Sequence, residues 1–149
     1  TDPEKACSCN PAQIIKYQRK ISGPILDRID LHVEVPRLKF EKLAEDSRSE
    51  SSTSIRQRVE KARQIQKERF QNHRIITNSE MGSAEIRSFC QLNPSCLELM
   101  KNAVSNLHLS ARAYYRIIKV ARTIADLSEI SEIEPTHIAE AIQYRFKTE

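Results

Sequence analysis

Tryptophan is absent from this chain and glycine nearly so, with 2 glycines in 149 residues. So little glycine leaves no room for a glycine-rich phosphate loop, and no GxxxxGK[ST] motif occurs. A hydrophobic strand ending in paired acids, of the kind that holds Mg2+ beside a nucleotide, is missing too. Aromatic residues make up only 5%, and no aromatic ladder on which bases could stack accompanies the basic helix expected from Ser54. No apolar run approaches the ~20 residues that span a bilayer, so no membrane partner is expected. The opening residues TDPEKACSCN lack the apolar segment of a signal peptide. Four cysteines, Cys7, Cys9, Cys90 and Cys96, do not form a dense disulfide framework, and a reduced, cytoplasmic setting is expected. The chain starts without an initiator methionine, which leads us to expect a piece of something longer.

What is present favours helices. Hydrophobic residues are 39% and charged residues 30%, the balance of a water-soluble globular chain, and the bias to Ala, Ile, Glu and Arg suits helix over sheet. The net charge of +4 and pI of about 8.9 admit an anionic partner without requiring one.

Asn10-Pro11 reads as a helix start, Asn at the N-cap and Pro at the first position. That helix should run to about Lys20, where Ser22-Gly23-Pro24 breaks it. A helical turn is expected over Ile25–Ile29. Leu31, Val33 and Val35 then alternate at period two and predict a strand closed by Pro36. A lone strand cannot stand by itself, so it must pair with strands supplied from elsewhere.

Residues 37–53 are polar and predict an exposed linker. Beyond them the pattern is helical. Ser54–Gln71 places Ile55, Val59, Ala62, Ile65 and Phe70 roughly on one stripe. Ser83–Gln91, Asn93 to Leu107, Ser110 to Ser128 and a last helix opened by Pro135, with Ile138, Ile142 and Phe146 inward, complete the set. The expected fold is mainly α: residues 1–36 as the far end of an α/β body, 37–53 as linker, 54–149 as a helical bundle.

Candidate chemistry is carried by arginine. Arg28 sits between Asp27 and Asp30 just before the expected strand. Its plain reading is a surface ion pair, which contributes little. Its sharper reading is a guanidinium held on a rigid element for a neighbour's phosphates, a task suited to a planar fork that never loses its charge. Arg112 lies in the first turn after Ser110, where a cation opposes the helix dipole and an anion would relieve the conflict. Arg116, Lys119 and Arg122 share one side of that helix and read as a solvated face. The helix from Ser54 is the most basic stretch, and Arg56, Lys61, Arg63 and Lys67 are its candidate DNA contacts. Cys7 and Cys9 offer two thiols where a structural zinc site needs four ligands, so no metal site is expected within the chain. Cys90 and Cys96 lie among apolar residues and read as small core residues.

Three ordered blocks carry a resemblance. They are Cys7-x-Cys9-Asn10-Pro11-Ala12-Gln13, the run from Tyr17 through Gly23-Pro24-Ile25-Leu26-Asp27-Arg28-Ile29-Asp30-Leu31-His32-Val33-Glu34-Val35-Pro36, and Leu109-Ser110-Ala111-Arg112-Ala113-Tyr114-Tyr115-Arg116 onward to Leu127. His137 to Arg145 adds a closing helix. Together they resemble the magnesium-chelatase-like family of bacterial AAA+ ATPases, the ComM/YifB competence-type group, over essentially the whole chain. The resemblance implies a C-terminal fragment. Arg28 would be the arginine finger that reaches the γ-phosphate held by an adjacent subunit, and Arg112 would be sensor 2, the lid arginine that touches bound nucleotide. It also implies a self-assembled ring, a hexamer, that uses ATP and Mg2+ in the full-length protein and acts on DNA as a helicase or branch-migration motor. The fragment alone, lacking both phosphate loop and paired acids, should bind neither and be inactive. Family members often carry a further cysteine pair upstream, which would complete a zinc site with Cys7 and Cys9. Two other readings stay open: a stand-alone basic helical adaptor for nucleic acid, and the ATPase subunit of a metal chelatase.

Overall fold

The computed structural model describes residues 8–21, 23–35 and 50–145. Among them the chain forms α1 (Pro11–Gln18), a single turn α2 (Gly23–Leu26), the long α3 (Ser52–Arg69), a 3-10 turn at Asn78–Glu80, α4 (Ser83–Phe89), α5 (Pro94–Leu107), α6 (Ala111–Leu127) and α7 (Pro135–Gln143). Each well-formed start has a local cause. Asn10 Oδ1 accepts from Gln13 N–H at 2.9 Å while Gln13 Oε1 accepts from Asn10 N–H at 3.0 Å, a reciprocal cap that satisfies two otherwise orphaned donors. Asn93 Oδ1 accepts from Cys96 N–H at 2.8 Å ahead of Pro94. Ser110 Oγ accepts from Ala113 N–H at 3.1 Å. α5 ends on His108 in the left-handed region at φ 47, a conformation histidine tolerates better than most side chains.

α6 is the central element and packs against α3, the 3-10 turn, α4 and α7, while α5 packs against α7. It contributes Ile117, Ile118, Ala121 and Ala125 to the core. These meet Ile86 of α4, Cys96 and Met100 of α5, Ile138 and Ala141 of α7, and Phe70, Met81, Cys90 and Ile133 from the intervening turns. Cys90 and Cys96 are both buried, as apolar neighbours in the sequence predict. Each isolated helix of this length would be marginal in water; the shared apolar face is what makes the bundle persist.

Two expectations change on contact with the structure. The strand over residues 31–35 does not form: among the described residues there is no strand, only an isolated bridge between Leu92 and Ile133. Leu31, Val33 and Val35 are instead 51%, 66% and 85% exposed. Period-two alternation supplies a face, but a ladder also needs a neighbouring strand to exchange hydrogen bonds with. The stripe expected along α3 is also only half realised. Ala62 and Phe70 are buried, Ile65 is half-buried, and Ile55 and Val59 stay exposed. Phe146, most of the polar segment 37–53 and Cys7 lie outside the described residues.

Candidate functional site

The turn after α2 sets Arg28 apart from its flanking acids. Arg28 is exposed and donates one bond, to the Pro24 carbonyl at 3.1 Å. Neither Asp27 nor Asp30 turns toward it. Asp27 accepts from Ser110 Oγ, with both carboxylate oxygens at 3.1 Å, and from Arg145 Nη2 at 3.3 Å. Asp30 pairs with Arg116. The surface ion pair expected as the plain reading of Arg28 is therefore absent among the described residues, and the guanidinium keeps most of its donors for solvent or a ligand. Arg145 is the residue that sequence reasoning missed here. Its guanidinium also donates to the Ile29 carbonyl at 2.8 Å. Nothing in its spacing marks it, because its partners lie more than a hundred residues away in sequence.

Ser110 links this turn to α6. Its hydroxyl donates to Asp27 and accepts from Ala113 N–H, so one side chain both caps the helix and holds the turn. Arg112, two residues on, is exposed, and its side chain makes no hydrogen bond or ion pair with a described residue. Arg28 and Arg112 thus flank the Asp27–Ser110 contact in sequence, each presenting a cation that no described acid pairs with. Both fit contact with phosphate oxygens. Neither supplies what a metal ion needs, and among the described residues no group of three His, Cys, Asp or Glu side chains is gathered.

The solvated face expected for Arg116, Lys119 and Arg122 is corrected. Arg116 is half-buried against Asp30, and Lys119 donates to the Ser79 carbonyl at 2.9 Å. Arg122 is buried, with 3% exposure. It donates Nε–H to Asp126 Oδ1 at 3.1 Å and caps the carbonyls of Ile130 and Ser131, each at 2.7 Å. Asp126, fully buried, is shared with Arg69 of α3 and with Asn78 Nδ2 at 2.8 Å. Burial pulls the Arg122 guanidinium below its ordinary range, and Asp126 opposes that pull. Helical periodicity places Arg122 on the polar stripe correctly; what it cannot see is that the turn 128–131 folds back over that stripe.

On α3, Arg56, Lys61, Arg63 and Lys67 are all exposed. Lys61 is paired with Glu129 at 2.8 Å. The other three make no ion pair with a described residue. Arg58, on the same helix, is clamped by both oxygens of Glu50 at 3.0 Å. A groove of about 320 Å³ runs beside Arg63, Gln66, Asn78 and Thr123. A second, more apolar one of about 290 Å³ lies between Leu31, Val120, Ile124 and Tyr144. No helix among the described residues is long and apolar enough to cross a membrane.

Comparison with known proteins gives this geometry a context. Residues 49–145 match the family described as magnesium chelatase, subunit ChlI C-terminal, and residues 1–43 match magnesium chelatase, subunit ChlI. The competence protein ComM of Haemophilus influenzae is 43% identical over 137 residues, which is 91% of this chain and 26% of the relative. YifB of Escherichia coli is 40% identical over 138 residues, 92% of this chain and 26% of the relative. A protein of Mycobacterium bovis is 31% identical over 144 residues, 97% of this chain and 28% of the relative. The chain therefore spans about a quarter of the length of the curated relatives it matches.

Proposed function

This chain belongs to the magnesium-chelatase-like family that includes ComM and YifB, as a C-terminal region of that family, and on that footing we propose that it completes the ATPase site of a ring-forming AAA+ motor. Arg28 acts as the arginine finger, stabilising charge on the γ-phosphoryl group of nucleotide bound by an adjacent subunit. Arg112, at the open end of α6, touches bound nucleotide as sensor 2, where helix N–H groups and guanidinium reinforce each other. Residues 1–36 belong to the end of the α/β body, 37–53 join it to the lid, and 54–149 are the lid. ATP and its Mg2+ are held by other parts of the whole protein; when bound, the metal neutralises phosphate charge. The residues of this chain bind and orient phosphate oxygens from one side.

The observation that carries this reading is the side-chain arrangement at the turn. Both acids flanking Arg28 are engaged elsewhere, so its charge is not neutralised by its neighbours. The relative named for competence directs the proposal to DNA as the substrate moved by the ring, a hexamer, in recombination or transformation. Arg56, Arg63 and Lys67, exposed on α3 without acid partners, are the residues that would contact its backbone. A basic adaptor acting alone is the competing reading, and it predicts tight, salt-steep DNA binding by this fragment.

The test is complementation in mixed rings of the full-length protein. One chain carries Arg28→Ala and the other a disabled phosphate loop. Each alone is expected to lose hydrolysis by a factor of about 10³ or more. Mixing restores it if Arg28 works across the subunit boundary. An unchanged rate in rings of Arg28→Ala alone sinks the finger assignment.

A further inference from the structure

Five residue pairs tie the short segment around Arg28 to the last two helices and their ends. Asp27 holds Ser110 Oγ at the N-cap of α6, and Arg145 Nη2 at the end of α7 holds Asp27. Arg145 Nη1 holds the Ile29 carbonyl at 2.8 Å. Arg116, just over one turn into α6, holds Asp30. His32 N–H donates to the Tyr144 carbonyl at 2.8 Å. Arg28 stands between the two acids and shares neither.

We infer that Asp27 and Asp30 are positioning residues that yoke the Arg28 turn to α6 and α7, so that the first turn of α6, where Arg112 lies, and the Arg28 turn move as one piece. The inference rests on the proposed role of Arg28. As a stabilising contact the Asp30–Arg116 pair counts for little, because its side chains are 49% and 26% exposed and solvent screens such a pair. What these pairs supply is geometry. Two helices approached from different directions fix both the place and the orientation of a four-residue turn, and a displacement of ~1 Å at a catalytic group can lower a rate about 100-fold. Arg145 is the tighter anchor, with its side chain 8% exposed. Ser110 gives the yoke its second end. Any shift of the α6 N-terminus, such as an anion drawn to Arg112 would impose, moves the hydroxyl that Asp27 grips. Contact with nucleotide at Arg112 then sets the position from which Arg28 reaches the neighbouring site.

The experiment compares full-length Asp30→Arg, Arg116→Asp and the double swap, with Asp30→Asn as a milder variant and Arg28→Ala in parallel. ATP hydrolysis is measured over a range of ATP concentrations, and folding is checked by circular dichroism melting. Asp30→Arg sets two guanidiniums against each other and is expected to lower kcat about 10-fold with KM for ATP changed less than about 2-fold. The double swap restores the attraction and is expected to return kcat to within about 3-fold of the parent. Asp30→Asn falls between, which keeps the test open if charge reversal prevents folding. If Asp30→Arg and Asp30→Asn hydrolyse ATP at the parental rate while Arg28→Ala is inactive, the yoke is wrong and the finger stands. A swap that fails to recover also overturns the yoke, because the pairing is then not the cause. Full activity in Arg28→Ala removes the finger reading, and the yoke with it.

Discussion

Asp126 is held from three sides. It is fully buried and receives two guanidiniums, Arg69 and Arg122, as well as the Asn78 amide. With two cations to one anion, its removal leaves charge inside the protein without compensation. Breaking a buried pair from one side costs roughly 3–5 kcal/mol, much more than the pair's net worth against an apolar substitute. Asp126→Ala is therefore expected to destabilise the bundle by about 3 kcal/mol, read from the midpoint shift in urea at constant slope. A loss below ~1 kcal/mol would mean that water reaches the two arginines. This cluster was not legible in the sequence. Arg122 and Asp126 are spaced like any surface pair one turn apart, and only Asn78, Arg69 and the turn 128–131, brought in from outside the helix, seal them from solvent. Arg28 was legible as a position but not as an arrangement: the acids beside it in sequence belong to other partners in space.

At the scale of elements, the helix starts were the clearest signals. Asn10-Pro11, Asn93-Pro94 and Ser110 all cap the helices they announce, because a cap is a contact between residues three apart and needs nothing from the rest of the chain. Asn93→Ala is expected to cost about 1 kcal/mol through the lost bond to Cys96 N–H, seen as a lower melting temperature of a few degrees. The substitution leaves the Arg28 turn untouched, so hydrolysis by the full-length protein should not change below the melting range. The strand expected over 31–35 is not formed among the described residues, for the converse reason. Its alternation is local, but its existence depends on a partner strand. The stripe along α3 fails partway for a similar reason: Ile55 and Val59 have the right period, yet the elements that cover α3 reach only its C-terminal half, where Ala62, Gln66 and Phe70 are buried.

At the scale of the whole molecule, the described residues of the bundle bury two thiols among apolar side chains, Cys90 and Cys96, and burial raises the pKa of both. Burial pushes Cys90 from the ordinary 9.0 up to about 11. In the unfolded chain that thiol ionises near pH 9, while in the folded chain it stays protonated, so between these values the unfolded state binds fewer protons and stability falls as pH rises. The loss over that window is about 2–3 kcal/mol for this group alone. Urea unfolding at pH 8 and pH 11 should show it, and Cys90→Ala, though less stable throughout, should show a shallower decline by that amount. A parallel decline in both proteins would assign the alkaline loss to other groups. The helical class and the inward faces of α6 and α7 could be read from periodicity, since a helix's apolar stripe is written in its own sequence. The attachment of residues 27–32 could not, and that attachment has a kinetic consequence. Its bonds join residues 83 to 118 positions apart, whereas α6 and α7 meet across a single short turn. Closing a long loop costs entropy before any contact rewards it. The bundle should therefore form first and the Arg28 turn dock last, leaving by the same route in reverse. A late-docking turn can be released and re-seated many times while the helices beneath it stay folded.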